Sequence, residues 1–380
     1  MKVRTMNLRS AAVMLAAGAL VAGCGASPTD TGGTGGKGGA DLQSVYKAVN
    51  GLTGTQRYDK LLKMAKDAGG TIGYYHPGEQ KPEVEAFEKR TGLKVNDFQA
   101  TSERVMERVT QEQKAGQQGS DIVLGGSDDM KQLIDAGGLP KLNTPAFNDV
   151  GKDFKSDYDI SPIGIMEMPT YNTDKVSVDK LPKTWEDLFR HPPGRLGIEI
   201  TDQAWYEVII KKYFMKQKGM SEQAAINLIT KGFKGAQQVD GHTLVANLLA
   251  SGQYAYVPDC FAHYVPGLKK SGAPISYDHL SPSMPPVVTS LSIGLTKGGK
   301  NPAGGLLFIE WLMSAEGQKV IAGQDYVPTS DTYTGTTLLK QYPKAIVSNL
   351  YLTDTPQETQ DWKNKFQKLL QSIGGKPKSE

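Results

Sequence analysis

The sequence predicts an α/β fold in which parallel sheets carry helices on both faces. Three observations predict it: strand patterns alternate with amphipathic helix patterns from residue 71 onward, the 380 residues suffice for two hydrophobic cores, and only two cysteines occur. Alternating strands and helices favour parallel pairing, because each helix returns the chain to the edge from which the next strand starts. With so few cysteines, burial of apolar side chains must stabilise the fold.

The first 23 residues predict a secretory leader that is not part of the fold. Three basic residues precede the apolar run 11–22, which is too short to span a bilayer. The run leads into Val21-Ala22-Gly23-Cys24, which resembles the lipobox of bacterial lipoproteins. This resemblance implies that Cys24 is acylated, becomes the new N-terminus and holds the protein at the membrane surface, outside the cytoplasm. An ordinary signal peptide with a chance cysteine is the alternative.

The charge balance bears on whether the protein binds nucleic acid or an anionic membrane surface. The full chain has 43 Lys and Arg against 40 Asp and Glu, and the three basic residues of the leader leave 40 of each sign in the remainder. A formally neutral chain gives no indication of binding to nucleic acid or to an anionic membrane face. Residues 24–40 are rich in Gly, Ser and Thr, which predicts a flexible tether between the lipid and the folded part.

Secondary-structure patterns follow in order after the tether. Residues 41–70 show helical spacing that glycines interrupt, which predicts two N-terminal helices. Apolar strands then alternate with capped helices in a first block, and a similar second block begins after Pro162. A helix over 358–373 closes the chain. The predicted strands are 71–75, 93–98 and 121–124 in the first block, and 196–201, 254–257, 275–277 and 287–295 after it.

Catalytic motifs do not occur in the sequence. There is no HExxH, GxSxG, phosphate-binding P-loop or CxxC pattern, and none of the five histidines lies four residues from another. Sets of Ser, His and Asp occur in any chain of this size, but nothing here places a serine on a strained strand-to-helix turn. The sequence therefore predicts a protein that is not an enzyme.

Four segments carry a family resemblance. They are AFEKRTGLKV at 86–95, YNT at 171–173, TWEDL at 184–188 and FIEWLMSAEGQ at 308–318. In this order they resemble the extracellular solute-binding proteins of bacterial ABC importers. The resemblance covers residues 55 to 345, which makes it far more specific than any one motif. The closest branch includes binders of ferric iron, thiamine, phosphonates and sugar phosphates.

The resemblance implies the type 2 periplasmic-binding-protein fold. In that fold two α/β lobes, each with a doubly wound sheet, are joined by two crossover segments and close on the ligand. The crossings are expected near 163–171 and 287–293. Lobe 1 is then discontinuous, with residues 71–165 and 290–380, and residues 170–285 build lobe 2.

The ligand is expected between the lobes, where strands end and helices start, because backbone N–H groups are free there. Five of the candidates could serve the fold and not bind the ligand. In that case Ser127 and Asp202 are helix N-caps, Trp205 is a core residue, His76 is a turn residue and Tyr264 is a surface ring. The ligand-binding candidates are Tyr75, His76, Glu79, Ser127, Asp128, Asp202, Trp205, Asp259, His263 and Tyr264.

The family's ferric-iron binders hold the metal with two adjacent tyrosines in lobe 2. Here the aligned positions are Ala262 and His263, and Tyr264 follows one residue later. One phenolate leaves ferric iron short of oxygen ligands, so iron is kept as the alternative. The candidate loops contain carboxylates and aromatic rings but no Arg, which favours an organic cation or a polar organic solute over a phosphorylated one. No cofactor and no bound metal are predicted.

The resemblance implies that the protein captures a small solute outside the cytoplasm and delivers it to a membrane permease. The permease and its ATPase subunits would be separate chains, because no second apolar stretch is long enough to span a bilayer and no P-loop occurs. We expect a monomer that is held at the membrane by its lipid anchor. A solute sensor that presents its ligand to a membrane receptor is the alternative, since it would share the fold and the site.

Overall fold

A computed structural model of the protein describes residues 40–379. The predicted leader, Cys24 and the tether up to residue 39 lie outside the described residues. The described part opens with α1 (Leu42–Val49) and α2 (Gly54–Asp67), the two N-terminal helices that the sequence predicts. Within it, no helix combines the length and the apolar character that a membrane span needs.

Three parallel strands form the first part of the main sheet. They are β1 (Thr71–His76), β2 (Lys94–Gln99) and β3 (Ile122–Gly126), and β1 lies between the other two. The helices α3 (Lys81–Thr91) and α4 (Ser102–Ala115) connect them. This is the alternation of strands and helices that the sequence predicts, and it gives parallel pairing for the reason stated above.

The chain then enters a second half of the molecule, which is built mainly from the residues between 172 and 287. α5 (Ser127–Asp135) starts directly after β3, and the 13-residue strand β4 (Ile160–Asn172) leads into the second half. Short strands alternate with helices there, and one helix continues with π-helical geometry over Ile209–Gln217. In chain order the elements are α6 (Trp185–Arg190), β5 (Gly197–Glu199), α7 (Gln203–Val208), α8 (Glu222–Gly232), β6 (Gln237–Val239), α9 (His242–Ala250), β7 (Tyr256–Phe261), α10 (Tyr264–Lys270) and β8 (Ile275–Ser276).

A second long strand, β9 (Val287–Leu295), returns the chain to the first half. α11 (Pro302–Leu312) and α12 (Ala315–Ala322) follow it and pack in the first half. The remaining elements are β10 (Val327–Pro328), α13 (Leu338–Gln341), β11 (Ile346–Val347) and α14 (Pro356–Ile373).

The two long strands β4 and β9 join the halves in one sheet. The strand order is β10-β4-β9-β3-β1-β2, while β7 and β8 pair with β4, and β11 pairs with β9. The sequence analysis expects two separate sheets, but β4 is long enough to pair with β9 and β10 near its start and with β7 and β8 over 167–172. The described residues therefore form a nine-stranded sheet, with a separate parallel pair of β5 and β6.

Each half has its own hydrophobic core. In the first core, α11 lies against the sheet, and a side chain at Gly304 or Gly305 would overlap Ile72 or Ile122. Glycine thus permits the close approach of helix and sheet. The second core is rich in aromatic rings, which include Trp185, Phe189, Trp205, Tyr206, Phe214 and Phe233.

The last helix, α14, packs on the second core. The rings of Trp362 and Phe366 lie 6.1 and 5.4 Å from the ring of Tyr206 in α7. The sequence analysis placed residues 290–380 in lobe 1, and the structure differs at this helix. The apolar face of α14 finds its partner on the aromatic surface of α7 and α8, so the chain crosses between the halves a third time after β11.

Candidate functional site

A cleft with a volume of about 730 Å³ lies between the two halves. Its walls include the first residues of α5 and α7, the middle of β4 and β9, the loop after β7 and one face of α14. The starts of α5 and α7 meet there because each helix follows closely on a strand. This is the position at which the sequence predicts the ligand.

The second half contributes a cluster of Glu199, Asp202 and His242 to this cleft. The Nε2 atom of His242 lies 3.3 Å from a carboxylate oxygen of Asp202 and 4.0 Å from one of Glu199. Glu199 is fixed because the backbone N–H and the hydroxyl of Thr201 both donate to it, and the N–H of Gly241 donates from 3.0 Å. One ligand atom from each of the three residues lies within 4.8 Å of the others, so a single cation could contact all three.

Two more carboxylates, Glu167 and Asp259, lie beside Asp202. Glu167 is 2% exposed and Asp259 is 1% exposed. The hydroxyl of Thr289 donates to one oxygen of Glu167 at 2.8 Å. Four carboxylate oxygens here are buried without a hydrogen-bond partner among residues 40–379. They are the other oxygen of Glu167, both oxygens of Asp259 and one oxygen of Asp202. Buried polar atoms normally have partners, so these oxygens require a shared proton or a cation.

Three carboxyl groups of the cleft wall, Glu167, Asp259 and Glu199, have raised pKa values. Burial raises the pKa of Glu167 and of Asp259 well above its ordinary value, and the charge of Asp202 adds to both shifts. Burial and the same charge also raise the pKa of Glu199. Burial alone would lower the pKa of His242, but the charges of Asp202 and Glu199 raise it. The cluster therefore favours additional positive charge.

The opposite wall carries Ser127, Asp128 and Asp129 at the start of α5. The side chain of Gln203 in α7 donates across the cleft to Asp128 at 3.4 Å. Burial raises the pKa of Asp128, against the effects of Gln203 and Lys363. Burial and the charge of Asp128 raise the pKa of Asp129 to about 6. Lys363 is the only Lys or Arg among the described residues that line the cleft.

Aromatic rings cover another part of the cleft. Phe261 stacks on the ring of His242 with a centroid distance of 3.6 Å. The ring of His263 lies between those of Tyr264 and Tyr326, at 4.2 and 4.4 Å. Burial lowers the pKa of His263 to about 4, aided by the charge of His242, so His263 is neutral at pH 7. The cleft therefore places apolar ring faces next to buried carboxylates.

A protein-family model described as bacterial extracellular solute-binding protein matches residues 84–347, which is more than half of the chain. The chain belongs to this family. The protein is therefore an extracytoplasmic solute-binding protein of the kind that serves ABC importers. None of the curated protein sequences matches it significantly.

Solved structures of the same fold include transport proteins with different cargo. Iron-bound HitA from Pseudomonas aeruginosa aligns with a TM-score of 0.64 and 19% identity, over 79% of this chain and 99% of that chain. A substrate-binding protein of an ABC transporter from Bradyrhizobium japonicum USDA 110 aligns with a TM-score of 0.67 and 15% identity, over the same shares. MotA from Agrobacterium tumefaciens B6 in complex with glucopine aligns at 0.58 and 15%, over 78% and 99%. This likeness confirms the predicted two-lobed, type 2 periplasmic-binding-protein fold.

Half of the predicted ligand-binding residues line the cleft of this solute-binding protein. Two of them, Ser127 and Asp128, start α5, and Asp202 directly precedes α7, so their placement follows from the strand-to-helix junctions on which the prediction was based. The other two, His263 and Tyr264, follow β7 and face the cleft. Contact of these five residues with a solute stays a prediction.

Three of the residues predicted after the first strand do not line the cleft. Tyr75 is buried, and its hydroxyl donates to Glu112 in α4 at 2.8 Å. His76 is 1% exposed, and its Nε2 atom faces Asp97 in β2 at 3.5 Å. Glu79 turns back and accepts a hydrogen bond from the backbone at the start of α3 at 2.9 Å. These side chains contact α4, β2 and the start of α3.

Trp205 and Asp259 also lie away from the cleft surface. Trp205 is fully buried, and its ring meets those of Trp185 and Phe233 edge-on at 5.7 and 6.4 Å. It lies on the inward face of α7 and is a core residue, which is the alternative to ligand binding that the sequence analysis gave for it. Asp259 lies in β7, close enough to Asp202 for the charge of Asp202 to raise its pKa.

The sequence analysis missed Glu167, His242 and Lys363. Glu167 had a recognisable signal, because it is the only charged residue in the uniformly buried strand β4. His242 starts α9 after a short loop, which is again a strand-to-helix junction. Lys363 has no local signal, since only the packing of α14 on the second core brings it to the cleft.

Proposed function

We propose that this solute-binding protein captures an organic solute with a cationic nitrogen and delivers it to the permease of an ABC importer. The observation that carries the proposal is Glu167, which lines the cleft and has one buried oxygen with no hydrogen-bond partner among the described residues. A buried carboxylate is unfavourable unless a cation or a hydrogen-bond donor pairs with it. An ammonium or guanidinium group supplies both.

The charge distribution of the cleft favours a cation over an anion. Carboxylates lie on both walls, including Asp128 on one side and Asp202 on the other. A phosphate or phosphonate would lie close to them, and Lys363 is the only Lys or Arg that the described lining offers it. Tight recognition of such anions generally uses bidentate Arg or several N–H donors. The phosphorylated cargo of the family's branch is therefore disfavoured here.

The rings of the cleft suit the rest of such a solute. Phe261, Tyr264 and Tyr326 line the cleft next to the carboxylates. Aromatic faces attract cationic nitrogen groups and cover apolar carbon at the same time. A cleft of about 730 Å³ is of the size that small organic ligands occupy. We infer an amine or guanidine that carries an apolar or aromatic part.

Calorimetric titration with a panel of amines, guanidines, carboxylic acids and phosphates tests the proposal. We expect one-to-one binding of at least one cationic compound. Glu167→Gln should weaken that binding at least about tenfold, since it removes the charge but keeps the shape. Glu85→Gln, an exposed change on α3, is the matched control and should leave binding unaltered. Binding of a phosphate with no response to any cationic compound would reject the proposal.

Solute binding is expected to close the cleft, because carboxylates of both walls would contact the same small molecule. β4 and β9 connect the halves and are the elements about which such a closure would occur. Small-angle X-ray scattering with a saturating cationic compound should give a smaller radius of gyration than without it. An unchanged radius at saturation would count against a two-lobed clamp.

Ferric iron is the second candidate, because Tyr264 and Tyr326 both line the cleft on either side of His263. Two phenolates suit ferric iron. Burial raises the pKa of Tyr326 to about 12, with a contribution from Tyr264, and this opposes phenolate formation. We therefore expect weak iron binding. In a titration with ferric citrate, a coloured one-to-one complex that Tyr264→Phe abolishes would establish iron as the cargo.

We further propose that Cys24 carries the lipid that holds the protein at the membrane. The lipobox-like stretch at 21–24 supports this. Cys24→Ala should move the protein from the membrane fraction to the soluble fraction. Its thermal unfolding should not change, because Cys24 precedes the first helix of the fold by 18 residues. Retention of Cys24→Ala in the membrane fraction would disprove the anchor.

Transport and sensing make different predictions for the cell. If the protein is a monomeric receptor of an importer, its deletion should abolish uptake of the cationic solute, and sedimentation should show a single copy. If the protein is a sensor, deletion should leave uptake intact and abolish a transcriptional response to the solute. An uptake assay with a labelled solute therefore separates the two.

A further inference from the structure

We propose that Glu199, Asp202 and His242 bind a divalent transition-metal ion in the wall of the cleft. One ligand atom from each residue lies within 4.8 Å of the others, and the Nε2 atom of His242 is 3.3 Å from Asp202. Around an ion with metal–ligand distances of about 2.0–2.2 Å, neighbouring ligand atoms lie roughly 3–3.5 Å apart. Small side-chain rotations would bring the three atoms to that spacing.

The buried oxygens beside this cluster are a second observation, since they require a cation or a shared proton. Asp202 is 8% exposed, and its second carboxylate oxygen has no hydrogen-bond partner in the described part of the chain. Glu167, which lies next to it, adds another such oxygen. Among the described residues, His242 is the only basic side chain that pairs with Glu199 or Asp202. A divalent ion held by Glu199 and Asp202 gives a neutral unit in which the imidazole needs no proton.

The donor set indicates the class of metal. Two carboxylate oxygens and one imidazole nitrogen suit Zn²⁺, Mn²⁺ or Fe²⁺. Mg²⁺ and Ca²⁺ prefer sites made of oxygen atoms alone. The imidazole of His242 therefore favours the transition metals.

The ligands are held in position by neighbours that do not contact the ion, as is usual for metal sites. Thr201 and Gly241 donate hydrogen bonds to Glu199, which is 1% exposed. The ring of His242 stacks on Phe261 at 3.6 Å with an angle of 16° between the rings. Two of the three ligands are therefore oriented by packing and hydrogen bonds of the fold.

The inferred metal site goes beyond the proposed solute function and does not depend on it. Asp202 and His242 line the cleft, so the remaining coordination positions of the ion face a bound solute. Glu167 stays available for a cationic nitrogen. The site uses neither Tyr264 nor Tyr326, which separates it from the ferric-iron candidate. The ion would add recognition of an oxygen or nitrogen donor on the solute.

The competing account is an ion pair between protonated His242 and Asp202 with no metal. To distinguish the two, the purified full chain is treated with a chelator and titrated with Zn²⁺ and with Mn²⁺ by calorimetry. Co²⁺ serves as a spectroscopic substitute, because its visible absorption changes with its coordination geometry. We expect saturable one-to-one binding of at least one of these ions, with a Co²⁺ absorption band that grows in parallel.

Variants assign the binding to the named residues. His242→Gln and Asp202→Asn should each weaken metal binding at least about tenfold. The exposed changes His191→Gln and Asp174→Asn are matched controls and should leave it unchanged. Circular dichroism and thermal unfolding of each variant show whether it is folded. If His242→Gln does not fold, Asp202→Asn carries the test, because an amide preserves the shape of the carboxylate.

The outcomes are distinct from those of the solute titration. Absence of saturable metal binding, or binding that both variants leave intact, overturns the metal site and favours the ion pair. Amine binding is measured separately in the presence of chelator. If an amine binds in the absence of metal, the proposed function is supported, whether or not the protein also binds a metal ion. If no amine binds, the metal titration still tests the metal site on its own.

Discussion

The Arg57–Glu310 pair of the first half and the cleft wall of the second half bury charged groups in opposite ways. In the first half, Arg57 donates to both carboxylate oxygens of Glu310, with a shortest distance of 2.7 Å. Arg57 also donates to the carbonyl oxygen of Val49, and the hydroxyl of Thr144 donates to Glu310. The charges cancel and their hydrogen-bonding groups are engaged, as expected for a pair that joins α2 to α11.

The cleft wall buries charges of one sign. Glu167, Asp202 and Asp259 meet there, and His242 is the only basic side chain among the described residues that pairs with any of them. The Arg57–Glu310 pair shows that this fold can neutralise buried charges within the protein. In the cleft wall the carboxylates are not neutralised in this way, so they are available to a ligand. Four substitutions test the comparison, beginning with the one that has the largest expected effect.

Arg57→Met breaks the neutral pair and should have the largest effect. It leaves the Glu310 carboxylate largely buried without its cation, which typically lowers the free energy of unfolding by about 3–5 kcal/mol. Urea unfolding measures this change. The double variant Arg57→Met/Glu310→Leu should recover much of the loss, because no lone charge is then buried. A loss below about 1 kcal/mol for the single variant would contradict the structural role of the pair.

Asp159→Asn tests a buried carboxylate that lies outside the cleft. Burial raises the pKa of Asp159 to about 6, against the effect of a hydrogen bond from Ser156. Because the folded pKa lies above the unfolded value, this group stabilises the fold most below about pH 4, and that contribution is lost as pH rises through about 6. Asp159→Asn should therefore increase stability at pH 8 by up to about 3 kcal/mol. Thermal unfolding between pH 4 and 8 should show the difference shrinking toward pH 4.

Glu167→Gln tests the uncompensated wall itself. It replaces a buried carboxyl group, whose ionisation burial opposes, with a neutral amide and keeps an acceptor for the hydroxyl of Thr289. We expect the ligand-free protein to gain about 1–2 kcal/mol of stability at pH 7 while it loses affinity for the cationic solute. Urea unfolding and calorimetry on the same sample measure both quantities. A variant that is less stable and binds normally would show that Glu167 serves the fold.

Lys63→Ala provides the lower limit of the series. Lys63 and Asp67 form an exposed pair one helical turn apart at 2.7 Å, and their side chains are 70% and 64% exposed. Solvent screens such pairs, so the change in the free energy of unfolding should stay within about 0.5 kcal/mol. Urea unfolding at low and high salt checks this. An effect as large as that of Arg57→Met would show that burial does not explain the contrast between the two regions.

The sequence by itself determined the alternation of strands and helices in the first block and part of the cleft. The alternation of strands and helices predicted the α/β fold, and four segments indicated the family. Ser127, Asp128 and Asp202 were found because a strand-to-helix junction is a local feature that residue types reveal. Such features depend on a few consecutive residues, so one sequence is enough to recognise them.

The tertiary structure decided which side chains meet. Glu167 in β4, Asp202 before α7, Asp259 in β7 and His242 in α9 come together only because the sheet and its helices bring distant segments to one place. The inward turn of Trp205 likewise depends on which face of α7 finds the aromatic partners of the second core. Helix phase and long-range packing are set by contacts between residues far apart in the chain, and no local pattern encodes them.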